Sequence, residues 1–464
     1  MIGSGIFIVS ADISRTVGSP GWLLLAWILT GVITLLGALA YGELAAMYPR
    51  AGGMYTFLRE SMGPLMGFLY GWTLFVVIQT GTIAAVAVGF GKFLGVLWPA
   101  VTPERFSWFP QMDIHTPGGL IELGLSPQRT VALASIAVLT WINLRGVREG
   151  KFVQTTLTVI KTGALAALCL LAITIGRSPE AAAANFGGKW FAGSPDFSAL
   201  FVVTFGSALV GSLFSADSWH APTFAAAEVQ NPARNLPRAM LLGTGLVTLL
   251  YVLANVGYLS VLPIHGAADG ATVIARGIDH ATQDRVATAV MEYMFGANGA
   301  AIMAVAILIS TFGCNNGLIL SGARVYYAMA RDGLFFARAG TLSKNAVPSF
   351  ALVAQSVWTG LLCLTGTYNQ LLDYVIFAAL LFYALTTIGL FILRVKRPDE
   401  PRPYRAVGYP VLPALYILLA SGVAVTLLVA DKTRAQALSG LVLVLLGVPV
   451  FLLWRRTAPP AIAS

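Results

Sequence analysis

Ser212-Leu213-Phe214-Ser215-Ala216-Asp217-Ser218-Trp219, followed by Pro222, interrupts an apolar block at 198–228, and its reading decides the fold. A helix crossing a membrane satisfies its own backbone hydrogen bonds, so a break within hydrocarbon is tolerated only where it lines protein or a water-filled cavity. Asp217 is ionisable inside this apolar block, and such residues face a cavity or a partner. A second break stands at Gly3-Ser4-Gly5, directly before Ile6-Phe7-Ile8-Val9. Alone, a GxG is a weak signal. Here the two breaks fall five helices apart, and discontinuous helices at corresponding positions of inverted repeats are where secondary transporters hold substrate. N–H groups at the start of a half-helix attract a carboxylate, and freed carbonyls accept from an ammonium. A zwitterionic amino acid needs both.

The surrounding sequence suits a bilayer. Of 464 residues, 57% are hydrophobic and 11% charged, against about a quarter charged in soluble chains. Mean hydropathy is +0.77. Apolar blocks near twenty residues recur, the length that crosses about 30 Å of hydrocarbon. They predict helices over 1–17, 21–46, 64–98, 129–146, 151–176, 198–228, 238–262, 297–329, 348–366, 370–394, 409–430 and 436–454. The fold class is therefore an all-α membrane protein with about 12 transmembrane helices. A nucleic-acid binder, a secreted module and a soluble enzyme are excluded. The blocks at 64–98 and 297–329 exceed the bilayer thickness and must tilt or continue into water. The connections 99–128 and 263–296, and the loop holding Ala181–Ala184, read as irregular, and Lys396–Pro403 reads as a stiff charged linker.

Charge sets the orientation. With a cytoplasmic N-terminus, inside segments carry 17 of the 29 basic residues and outside segments with helix ends carry 10, Lys161 and Arg324 lying within helices. This positive-inside bias places both termini in the cytoplasm. The net charge of +9 is then a topology signal, for which anionic lipid headgroups suffice as partner. Cys169, Cys314 and Cys363 lie in apolar blocks without CxxC or metal-like spacing and read as small buried hydrophobes. The sequence offers no nucleotide-binding loop, metal-ligand cluster or convergent acid–base set. No cofactor, no metal, no nucleic acid and no enzyme activity are expected.

Several motifs run through the chain in order. They are Ile2-Gly3-Ser4-Gly5-Ile6-Phe7; Ala40-Tyr41-Gly42-Glu43-Leu44 through Pro49-Arg50-Ala51-Gly52-Gly53-Met54-Tyr55; Asn143-Leu144-Arg145-Gly146-Val147 with Gln154 and Lys161; Glu228-Val229-Gln230-Asn231-Pro232 with Arg234–Arg238; and Ser310-Thr311-Phe312-Gly313, Asn315-Asn316-Gly317, Arg324 and Ala330-Arg331-Asp332-Gly333. Together they resemble the amino acid, polyamine and organocation permeases, most closely the L-type amino acid transporter branch and its prokaryotic members. The resemblance implies a five-plus-five inverted-repeat core over 1–394, with spans 1–5 in about 1–176 and spans 6–10 in about 198–394. Residues 395–464 then form a linker and peripheral spans 11 and 12.

The same resemblance implies exchange of amino acids by alternating access, expected to be sodium-independent and directed at neutral amino acids. It carries the carboxylate site to Gly3, Ser4 and Gly5, and the amine-facing carbonyls to Phe214, Ser215 and Asp217, with Phe214 closing over substrate. Lys161 takes over a cation position between the first and eighth spans, partnered by freed carbonyls, Ser310 and Thr311. Gln79, a lone polar residue deep in the third span, either touches the pocket or bonds a neighbouring helix. Asp217-Ser218 stands where many relatives have Gly-Gly, and His220-Ala221-Pro222 is also unusual. Relatives carry roughly a half-helix ahead of the glycine motif, so a segment upstream of Met1 is expected.

Other readings stay open. Proton-coupled uptake of amino acids or amines would use Asp217 or His220, and a non-transporting sensor or a channel would need a continuous polar path. His220 is alternatively a packed histidine. Glu43 and Glu228 are expected to pair with Arg50 or Arg234 near cytoplasmic helix ends, and Asn315 and Asn316 to join helices. Asp373 is placed near an outer helix end. The expected partners are an amino acid substrate and membrane lipids, with no obligatory protein partner.

Overall fold

The computed structural model describes the chain except for 117–118, 189, 193–197, 366–367 and 458–464, with backbone alone at 115–116, 119–122, 147–153, 368–371, 373–374 and 456–457. A short 3₁₀ turn, Gly5–Phe7, leads into α1 (Val9–Val17), followed by α2 (Pro20–Met47) and the short α3 (Met54–Met62). The third apolar block is continuous but not uniform: α4 (Pro64–Thr73) passes through a π-helical turn, Leu74–Ile78, into α5 (Gln79–Leu97). The hydroxyl of Thr80 donates to the Phe75 carbonyl there at 2.7 Å, taking up one of the groups the wider turn displaces. A small antiparallel hairpin, β1 (Met112–Thr116) and β2 (Gly119–Leu123), follows, with Ile114 opposite Ile121. Then come α6 (Pro127–Arg145), α7 (Val147–Thr174), α8 (Pro179–Phe186) and α9 (Ala199–Ala216). A 3₁₀ segment, Ala221–Glu228, precedes α10 (Pro232–Val261), α11 (Val273–Arg276) and α12 (Val286–Arg331). The chain closes with α13 (Ser349–Thr365), α14 (Tyr368–Lys396), α15 (Val411–Val429) and α16 (Arg434–Thr457).

Several starts are written locally. Ser19-Pro20, Ser126-Pro127 and Ser178-Pro179 each open a helix, the serine hydroxyl accepting from the N–H of Trp22, Arg129 and Ala181. Serine satisfies an otherwise orphaned N–H, and proline at the first helical position loses nothing because its missing N–H had no partner.

Each of the twelve apolar blocks contains helix. Among the described residues, nine helical segments are long and apolar enough to cross a membrane. This is an all-α multi-span membrane protein. Three local expectations need correction. The 99–128 connection carries the β1–β2 hairpin, and Ala181–Ala184 lies in helix α8 because Ser178-Pro179 starts one there. The eighth block begins at Val286 rather than 297, kinked at Gly296 (φ 62°, ψ −152°), a conformation that only glycine adopts cheaply. The side chains of Arg148, Lys151 and Asp373, and Lys189 altogether, lie outside the described residues.

In the bundle α1 packs on α9, α2 on α10, α5 on α12 and α6 on α13. Contacts sort the connections into two ends. One end gathers Glu43 with Arg394, Arg397 with Glu60, the Trp454 indole with the Gly333 carbonyl and the Asn345 amide with the Leu144 carbonyl. The other gathers Arg15 with Asp284, Lys432 with Asp12, Gly21 with Trp190 and Arg129 with Leu364. The two breaks lie between these ends.

Candidate functional site

At the first break Met1 to Gly3 precede any helix, and in the 3₁₀ turn that follows the Ser4 carbonyl accepts from Phe7 N–H at 3.1 Å and Gly5 from Ile8 at 2.9 Å. The carbonyls left over are met by side chains from three other helices. Lys161 Nζ on α7 donates to the Ile2 carbonyl at 3.0 Å. The Ser310 hydroxyl on α12 lies 3.4 Å from that oxygen and 3.3 Å from the Gly3 carbonyl. On α10, the Tyr251 hydroxyl reaches the Met1 carbonyl at 3.1 Å and the Tyr258 hydroxyl the Ile6 carbonyl at 3.2 Å. Lys161 is 6% exposed and, among the described residues, has no carboxylate within ion-pair distance. Its amine instead meets the Ile2 carbonyl, which the Ser310 hydroxyl also approaches.

At the second break α9 stops at Ala216. Asp217 is extended (φ −63°, ψ 173°) and Ser218 left-handed (φ 67°), after which the 3₁₀ segment begins. The Phe214 carbonyl accepts from Asp217 N–H at 3.1 Å, and the Ser215 carbonyl accepts from Tyr251 at 2.9 Å. The Asp217 carboxylate accepts from the Tyr383 hydroxyl on α14 and, among the described residues, has no cation within ion-pair distance. His220 is packed among Tyr41, Trp219, Phe224 and Tyr383, its ring centroid 5.1 Å from that of Tyr383.

The breaks touch. A Cβ on Gly5 would run into the side chain and Cα of Ser215, so only glycine lets the first span lie this close to the sixth. Gly5 is thus brought against Ser215, while Gly3 faces Cys314 and Val86, and Lys161 and Ser310 meet the carbonyls of Ile2 and Gly3. Phe214 is buried one residue away at 6% exposure. Two expected residues make bonds within the helix bundle. Thr311 bonds its own helix through the Ile307 and Leu308 carbonyls, and Gln79 donates to the Leu318 carbonyl at 2.7 Å, a bond between α5 and α12. Tyr251, Tyr258 and Tyr383 escaped the sequence reading. The first two had a signal: Tyr251, Asn255 and Tyr258 recur at helical spacing on one face of α10, and Asn255 accepts from Ser10 on α1 at 2.7 Å.

A cavity of about 400 Å³ runs from Met1 and Lys161 past Ser218 and Cys314 to Glu228 and Arg324. Arg324 grips Glu228 with two hydrogen bonds of 2.6 and 2.9 Å, rather than Arg234 doing so. Glu43 likewise has other partners than Arg50. It is fully buried, held by Arg394 at 2.9 and 2.6 Å, by Arg402 at 3.3 Å and by the Ala406 N–H at 2.7 Å. A buried carboxylate requires such a cage, because desolvation is expensive unless charge and hydrogen bonds are both matched. Next to it, α3 is pinned by Arg59 and Tyr55 to Asp332 and by Glu60 to Arg397. Burial acts to raise the Glu60 carboxyl, but the Arg59 and Arg397 guanidiniums outweigh it and hold the group below its ordinary value. Burial and the Glu400 carboxylate push the Tyr48 phenol up to about 12. Asn315 and Asn316 join helices as expected, to the Ile83 carbonyl and to Asn143 and Gln154.

A family model described as amino acid permease matches residues 1–449. The chain belongs to that family. The permease is 32% identical over 463 residues to the large neutral amino acids transporter small subunit 2 of Homo sapiens, covering 98% of this chain and 77% of the human one. It is 29% identical over 457 residues to the serine/threonine exchanger SteT of Bacillus subtilis, covering 97% and 92%. It is 27% identical over 427 residues to the b(0,+)-type amino acid transporter 1 of Mus musculus, covering 90% and 79%. The permease is a secondary transporter of amino acids across a membrane, and not an enzyme.

Proposed function

We propose that the permease exchanges neutral amino acids, without sodium, by alternating access across an inner membrane, as a prokaryotic member of the L-type branch. The observation that carries this reading is the meeting of the two breaks, with Gly5 against Ser215 and Tyr251 reaching a carbonyl in each. The substrate carboxylate lies at the amides of Gly3, Ser4 and Gly5, where a helix start favours an anion. Its ammonium lies at the carbonyls of Phe214, Ser215 and Asp217, and Phe214 closes over the side chain. Lys161 supplies a tethered positive charge where a sodium ion would otherwise be bound, with Ser310 on the same carbonyl and Thr311 next to it in sequence. The names of the human and Bacillus relatives, a neutral amino acid transporter and an exchanger, support the substrate class and the mode.

The architecture proposed is twelve spans in a 1–394 core and a 395–464 periphery. Support comes from the packing of each of the first four spans on the span five further along, which an inverted repeat produces. The end holding Glu43, Asp332 and Arg397 is cytoplasmic, because most basic residues fall in its connections.

The test is counterflow in proteoliposomes. Labelled neutral amino acid should enter only when unlabelled amino acid is inside, and a methyl ester should compete far less well than the free acid. Equal competition by ester and acid removes the carboxylate assignment. One observation favours a second reading: the Asp217 carboxylate is buried in an apolar span, accepts from Tyr383 and has no cation within ion-pair distance among the described residues. Uptake driven by a pH gradient into empty vesicles would establish proton coupling instead.

A further inference from the structure

We propose that His265 is a proton-operated latch that fixes the outer half of the first span. Helix α1 ends at Gly18, and the Gly18 carbonyl lies 2.9 Å from Nε2 of His265. Nδ1 of the same ring lies 3.1 Å from a carboxylate oxygen of Asp279. Both neighbours are acceptors only. A neutral imidazole carries one N–H and can serve one of them, whereas the imidazolium carries two and serves both. The bridge is thus complete in the protonated ring and loses a strand when the ring is neutral.

The surroundings determine what the bridge holds. Asp279 is already oriented: its second oxygen accepts from Gly266 N–H at 3.0 Å, and its own carbonyl accepts from Arg15 at 2.6 Å. The charge of Arg15 is occupied by Asp284 at 2.8 Å and Asp12 at 3.7 Å. Asp12 in turn pairs with Lys432 at 2.9 Å, and Asp284 has Lys92 at 4.0 Å. Arg285 reaches the Lys92 carbonyl. The groups around His265 from α1, α5, the start of α12 and the α15–α16 turn are therefore paired among themselves. Among the described residues, Asp279 is the carboxylate that the ring contacts. The His265 side chain is 56% exposed, so protons of the medium reach it directly.

Helix α1 carries the first break at its other end. Holding its C-terminal turn resists displacement of the outer half-span, the movement by which an outer vestibule would open. Histidine is the side chain that changes charge between pH 5 and 8. The latch is closed when the medium on this face is acidic and loosens as pH rises. Its effect on transport rests on the alternating-access reading above; the latch itself does not.

The experiment is hydrogen exchange on the full chain in nanodiscs at pH 5.5 and 8, corrected for intrinsic rates, for the segments 12–21 and 262–285. The parent should show about threefold stronger protection at the lower pH, the size of effect a histidinium at a helix end gives. His265→Gln should show weak protection at both values and His265→Arg strong protection at both. Retention of the parent's pH difference in His265→Gln, or its absence in the parent, overturns the proposal. Counterflow is read in parallel with external pH varied and internal pH fixed: slower exchange at pH 5.5 in the parent and a flat profile in His265→Gln are expected. Normal exchange behaviour with an unchanged profile in His265→Gln rejects the link to transport. If no variant shows counterflow while the protection pattern holds, the transport reading fails and the latch stands.

Discussion

The hydroxyl of Tyr251 lies 2.9 Å from the Ser215 carbonyl and is the donor that α10 supplies to the second break. The same hydroxyl stands 3.1 Å from the Met1 carbonyl, so one side chain addresses both discontinuous spans. Tyr251 is buried at 2% exposure, and water does not substitute easily for the lost proton. Tyr251→Phe should therefore cost about 1–3 kcal/mol through a buried acceptor left without a partner. Counterflow should fall several-fold while the protein still purifies folded. Thermal unfolding and transport measured on the same preparation check both, and unchanged transport would remove the positioning role.

The breaks were legible in sequence because glycine, proline and aspartate interrupt apolar runs, and nothing but function or strain excuses that in hydrocarbon. The helix starts at Ser19-Pro20 and Ser126-Pro127 were equally local. The ion pairs were not. Glu43 finds Arg394, 351 positions away, because what matters is which side chain reaches the end of α2 after packing. Choosing Arg50 from nearness in sequence missed this. Gln79 kept two readings for a related reason: a lone polar group in a span needs a partner, but sequence does not say whether a ligand or the Leu318 carbonyl provides it. Tyr251 and Tyr258 were hidden differently, since a tyrosine in a span is read as bulk until its hydroxyl is seen to have a target.

Ser218 adopts φ 67°, the left-handed region that favours glycine. Relieving that conformation is worth about 1–2 kcal/mol, and glycine's extra unfolded freedom takes back about 0.5–1 kcal/mol. Ser218→Gly should thus raise the unfolding temperature slightly. Ser218→Val, with a branched Cβ, should lower it clearly. Thermal unfolding of the two variants gives opposite signs if the backbone conformation is correct.

Glu60 predicts acid sensitivity at α3. A carboxyl whose folded value is depressed contributes stability that is fully present above its unfolded value. That stability is lost as pH falls through the folded one. For Glu60 the loss therefore occurs below the ordinary glutamate value of 4.5, as its bonds to Arg59 and Arg397 give way. Thermal unfolding followed from pH 6 downward should show a fall that is shallower in Glu60→Gln. Parallel curves for the two proteins would show that this contact contributes nothing to folding.

The sodium independence proposed above turns on Lys161. A charge placed mid-span costs roughly 2.5–3.5 kcal/mol on insertion scales, so it persists only with compensation. Compensation is present at the first break, where Nζ meets the Ile2 carbonyl at 3.0 Å and Ser310 approaches the same oxygen. A tethered ammonium in that place occupies carbonyl oxygens that a sodium ion would need, and its charge repels one. Lys161→Ala should cut counterflow at least tenfold while leaving the protein folded, because the freed Ile2 carbonyl no longer fixes the start of the first span. In the parent, counterflow should proceed at full rate in sodium-free buffer, and an imposed sodium gradient should drive no accumulation. Flux that disappears without sodium and returns when it is added would show that a mobile cation, rather than Lys161, completes the site.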